Sequence, residues 1–105
     1  MARSRTTLHY ILKDILGSDA CYYDPPASIQ MTYPCFVYAL SSGKTQHADD
    51  ARYVNHQRYT ITIIDEWPDT ELPNKLFFDS RLKYLSEDRQ YVINGLHHFV
   101  YSLYF

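Results

Sequence analysis

Five histidines, two cysteines and an acidic run around a lone tryptophan are the residues best equipped for chemistry in this 105-residue chain. Their spacing decides what chemistry is open to them. His97 and His98 are adjacent, so on a strand they point to opposite faces and do not share one ion easily. His47 and His56 lie in or beside a polar segment. His9 sits on a helical stretch, off its apolar stripe. Metal centres usually announce themselves by short ligand spacings, and HExxH, paired CxxC and HxH are all missing here. No metal and no cofactor is therefore expected. A centre assembled from His47, His56, His97 or His98 defines the alternative of another class, a small histidine-dependent metal-binding protein or enzyme. That alternative requires a stoichiometric metal that is lost when those histidines are mutated.

Nucleophile signatures are missing as well. No GxSxG elbow occurs, and neither Cys21 nor Cys35 has a catalytic context. No secretory signal precedes the cysteines, so two reduced, buried thiols are expected rather than a disulfide. Ser42-Gly43-Lys44-Thr45 ends like a phosphate-binding loop, but that motif needs glycine where this chain has Tyr38. The triplet reads as a polar turn. Asp65, Glu66 and Asp69 surround Trp67, and negative charge there suits the start of a helix better than acid–base catalysis. Asp88 and Arg89 can brace a turn, although an exposed pair is worth only about 0–1 kcal/mol. The expectation is a protein that is not an enzyme.

Composition narrows the classes further. The formal charge is −2 and no basic stripe is visible, which argues against specific nucleic-acid binding. No apolar run approaches the ~20 residues of a membrane span. Hydrophobic residues make up 46%, as in globular domains, and tyrosine is abundant at 11 copies. Tyrosine combines an apolar body with a polar tip, which suits half-buried sheets and protein interfaces alike.

The elements that would position these groups form one domain, residues 1–105. Leu8, Ile11, Leu12, Ile15 and Leu16 make one helical stripe, with Ser4, Thr6 or Thr7 able to cap it and Gly17 to end it. Residues 18–32, with Tyr22 and Tyr23, read as a connection, because Asp24-Pro25-Pro26 excludes a helix. Residues 35–40 are apolar on both faces, the mark of a central strand covered by the helix on one side. A second helix or a neighbouring subunit would cover the other. A polar projecting loop follows at about 41–57. Residues 58–65 alternate cleanly, with Tyr59, Ile61 and Ile63 on one face. A short helix is expected to about Phe78, capped by Asp69 or Thr70, with Leu72 and Leu76 on one face and Phe77 able to join them. Pro73 fits only its first turn. Leu82–Leu85 reads as a short strand, 86–88 as a turn, and 90–93 and 96–105 as a hairpin about Asn94-Gly95. Phe99, Tyr101, Leu103 and Phe105 share one face of its last strand. The fold class is α+β and sandwich-like: an N-terminal helix and one short helix on a mixed, mostly antiparallel sheet of about four strands.

Three stretches carry a resemblance. They are Tyr33-Pro34-Cys35-Phe36-Val37-Tyr38, residues 58–65 with Pro68-Asp69-Thr70-Glu71-Leu72-Pro73-Asn74-Lys75, and Asp88-Arg89-Gln90-Tyr91 followed by 94–105. In this order the chain resembles the tail-completion (head–tail joining) proteins of long-tailed bacteriophages, and within them the tail terminator group. The resemblance runs from about Leu8 to Phe105, and residues 41–56 have no place on the pattern. It implies a small α/β domain that forms a ring, a hexamer, capping the tail tube and joining it to the head connector. The place implied is the virion, at the head–tail junction, after assembly in the host cytoplasm. The partners implied are copies of itself, the tail tube protein and the connector protein, with DNA passing through the ring and no membrane. A head-closure or stopper connector protein of the same gene cluster is the neighbouring alternative. Loops carry recognition while strands supply scaffold, so the partner interface is expected at Ser42, Lys44, Gln46, His47, Asp49, Asp50, Arg52 and Tyr53, together with the first helix.

Overall fold

A computed structural model describes residues 4–41 and 56–105. Its elements are α1 (Arg5–Leu16), β1 (Cys21–Tyr23), β2 (Cys35–Leu40), β3 (Arg58–Asp65), α2 (Leu72–Phe77), β4 (Tyr84–Ile93) and β5 (Leu96–Tyr104). The strands form one mixed sheet in the order β1-β2-β3-β5-β4. Among the described residues only the β1–β2 pair is parallel. The fold is α+β, with five strands where the sequence suggested about four.

Local chemistry explains most boundaries. Ser4 caps α1, its hydroxyl accepting the Thr7 N–H at 3.3 Å. Gly17 closes α1 at φ 78°, and its N–H donates to the Lys13 carbonyl at 2.8 Å. Pro73 lies in the first turn of α2, where its missing N–H costs nothing. The α2 cap differs from expectation. Glu71 stands at the N-cap without a side-chain bond, while the Thr70 hydroxyl accepts the Leu72 N–H at 3.3 Å.

Both helices pack on the same face of the sheet. Leu8, Ile11 and Leu12 of α1 meet Leu72 and Leu76 of α2 in one core with Phe36, Tyr59, Ile61, Ile63, Phe99, Tyr101, Leu103 and Phe105. The alternating faces expected for β3 and β5 are those found. Phe77 does not join α2's buried face and remains 48% exposed. At its start the opposite face of β2 is covered by a connecting segment rather than by a helix. There the 24–34 connection folds back, so that Met31 and Tyr33 cover Cys35, Ala20 and Ile64 in a small second cluster.

Two elements depart from the sequence reading. Tyr22 and Tyr23 lie in β1 rather than in a loop, because three residues are too few to show a period. Residues 84–93 form one strand rather than a strand, a turn and a second strand. The polar run Ser86–Arg89 continues the ladder through a bulge between Glu87 and Arg89. It reads as a turn because both faces of an edge strand can be wet, which removes the alternation.

Candidate assembly surface

The eight residues expected to contact partners, Ser42, Lys44, Gln46, His47, Asp49, Asp50, Arg52 and Tyr53, lie outside the described residues. The ends of their segment are described. Leu40 pairs with Tyr59, the Ser41 N–H donates to the Arg58 carbonyl at 2.8 Å, and the Ser41 and Thr60 hydroxyls are 2.7 Å apart. Residues 42–57 therefore leave and rejoin one antiparallel ladder. At the return, Gln57 and Phe105 exchange two backbone hydrogen bonds at 2.8 and 3.0 Å.

The chemically equipped residues are dispersed. Among the described residues no three His, Cys, Asp or Glu side chains gather as a metal would require. His98 stacks on Tyr91 with centroids 4.7 Å apart, and its Nδ1 lies 3.0 Å from the Leu96 carbonyl. His56 meets the edge of Tyr84. Cys21 and Cys35 are free and buried. Cys21 faces the helices beside Phe36, while Cys35 belongs to the small cluster on the other face, so the sheet separates them. Burial pushes the Cys21 thiol up to about 12 and the Cys35 thiol up to about 11, so neither is a thiolate at neutral pH.

One polar cluster lies between α1 and the sheet. His9 Nδ1 sits 2.7 Å from the Tyr38 hydroxyl, to which Arg5 also donates at 3.4 Å. The Arg5 guanidinium lies over the Tyr23 ring at 4.4 Å, and the Cys21 sulfur approaches His9 Nδ1 at 3.9 Å. Burial, with Lys13 and Arg5 nearby, lowers the His9 pKa. Burial also raises the Tyr38 pKa. The cluster fastens α1 to β1 and β2.

The acidic run does not sit in the first turn of α2 as expected, because that helix begins only at Leu72. Asp65 ends β3, 4% exposed, and its carboxylate accepts the Trp67 backbone N–H at 3.2 Å. Asp88 and Arg89 do not brace a turn. Asp88 accepts the Ser102 hydroxyl at 2.6 Å, and Arg89 lies over Tyr91 at 5.4 Å. Arg58 donates to the same Ser102 oxygen at 3.2 Å, which ties β4, β5 and β3 together on the face opposite the helices.

Large apolar side chains on the surface are the feature that sequence reasoning missed. Trp67 is 69% exposed and Phe78 78%, with Phe77 set edge-on against Phe78 at 5.5 Å. Trp67 borders an open cavity of about 370 Å³, with Pro34, Asp69, Thr70, Glu71 and Lys75 among its walls. On α1, Tyr10 is 68% exposed. Trp67 and Phe78 flank α2, where aromatic character alone does not separate core from surface. Compared with family models, with curated proteins and with solved structures, the chain matches none.

Proposed function

We propose that this protein is a structural subunit of a long-tailed bacteriophage, a ring former of the tail terminator kind. In this reading the ring, a hexamer, caps the tail tube and joins it to the head connector. The observation that supports the reading is the set of exposed aromatic side chains, Trp67, Phe77 and Phe78, on a domain whose core is already closed beneath them. Large aromatic side chains left exposed are a feature of surfaces that bury themselves against a partner. The α+β architecture agrees with the small domain that the resemblance implies, and the role needs no catalytic group. Tyr10 extends the same character to α1, which was expected to take part in contacts.

Mass photometry and negative-stain imaging of the purified protein, alone and with tail tubes, test the reading. Rings are expected, either free or seated on tube ends. The double variant Trp67→Ala, Phe78→Ala should lower ring yield while keeping the melting temperature. Failure to form rings or to bind tubes at high protein concentration would overturn it.

A further inference from the structure

Among the described residues β4 is an edge strand of the sheet and, at ten residues, the longest strand. Open edges invite pairing with another strand, and natural proteins usually blunt them with charge or a bulge. This edge has both, in an arrangement that is self-complementary. Upstream of the bulge, Leu85 packs toward the helices and Glu87 pairs with Tyr101, a core-facing residue. Asp88 turns to the face opposite the helices, where it meets Ser102. Arg89 pairs with Val100 and so also lies on the face opposite the helices, while Gln90 pairs with Phe99 and returns to the helix face. The bulge thus puts two consecutive residues, Asp88 and Arg89, on one side.

We propose that β4 pairs antiparallel with β4 of a second copy, about a two-fold axis between Asp88 and Arg89. Facing residues across a strand pair must share a face of the sheet, and a slip by one residue breaks this. In an uninterrupted strand, residues that face each other in a self-pairing differ by an even number. Across this bulge they differ by an odd number, and the register centred between 88 and 89 keeps every facing pair on one side. That register sets Asp88 against Arg89 of the other copy twice, Glu87 against Gln90 twice, and Leu85 against Val92 twice. The charges that protect a lone edge become complementary in this one arrangement. Val92 is 57% exposed in the single chain and gains an apolar neighbour. The contact is isologous and closes on itself, so it makes a dimer rather than a fibre. It does not depend on the ring reading, because free dimers and rings joined in pairs would both contain it.

Disulfide trapping tests the register. Tyr84 and Ile93 face each other in the same register and are exposed, outside the core. The double variant Tyr84→Cys, Ile93→Cys places two thiols opposite each other between copies. Within one strand they pair with Tyr104 and Leu96 of β5, eight residues or about 26 Å apart, too far for a disulfide. Oxidation should give a covalent dimer in the double variant and none in either single variant. By sedimentation equilibrium, Arg89→Glu, which sets Glu against Asp88, should weaken the dimer about tenfold or more. A wild-type chain that sediments without dimers, equal cross-linking in the single variants, or binding of a strand from an unrelated protein at β4 with no self-association would each overturn the pairing. Rings that form normally alongside any of these results would leave the proposed function standing.

Discussion

His9 Nδ1 and the Tyr38 phenol oxygen lie 2.7 Å apart, joining helix α1 to strand β2 across 29 positions of sequence. Arg5 donates to that same oxygen, and a neutral imidazole with an unprotonated Nδ1 is able to accept the phenol proton. Burial favours that neutral form, and so do the positive charges of Lys13 and Arg5.

Stability should consequently fall on mild acidification. The unfolded chain takes up a proton at His9 more readily than the folded chain does. The stabilisation is complete above the unfolded value of 6.5 and is lost as pH falls through the lower folded value. Asp79, held low chiefly by its hydrogen bond to Arg81, loses its own contribution only as pH falls below 3.8, so the two windows separate. Urea denaturation at about pH 8 and about pH 5 should show the loss, and His9→Gln should flatten it. An unchanged slope in that variant would remove His9 from the account.

Two neighbours at the C-terminal end of α2 should respond differently to truncation. Leu76 is fully buried in the main core, so Leu76→Ala should cost about 2–5 kcal/mol in denaturant unfolding. Phe78 is 78% exposed, and Phe78→Ala should stay within about 0.5 kcal/mol of wild type. A large loss at Phe78 would show that the side chain supports the fold rather than an interface.

Asn94 and Gly95 turn the terminal hairpin at φ 53° and φ 76°. A Cβ added at Gly95 would meet nothing within 4 Å, so the cost of Gly95→Ala is conformational alone. It should destabilise by about 1–2 kcal/mol, read from the shift in urea midpoint at constant slope. A neutral result would mean that the turn relaxes to another type.

Ser41 and Arg58 share a backbone hydrogen bond at 2.8 Å, so the ends of the polar segment are already together. Deleting residues 43–54 leaves a short connection between β2 and β3. Far-ultraviolet circular dichroism should remain native and the thermal transition cooperative, while ring formation is lost. Loss of folding would place the segment in the core.

What the chain declares locally is what survives intact in the structure. The apolar stripe of Leu8, Ile11 and Leu12, the alternation of Tyr59, Ile61 and Ile63, and the Asn94-Gly95 turn depend on period and turn chemistry within a few residues. The fold class follows from those patterns, and the interior place of β2, between β1 and β3, from its apolar character on both faces. Tertiary structure decided the rest. Cys21–Tyr23 becomes a strand only because β2 offers it a parallel edge, and Ser86–Arg89 stays extended only because β5 holds it. No local period marks an edge strand that is wet on both sides. The meeting of Arg5, His9 and Tyr38, and the choice of Phe78 for the surface and Leu76 for the core, depend on where distant elements dock. Burial is a property of the packed neighbours, and aromatic residues enter the sequence with the same letter whether they fill a core or face a partner.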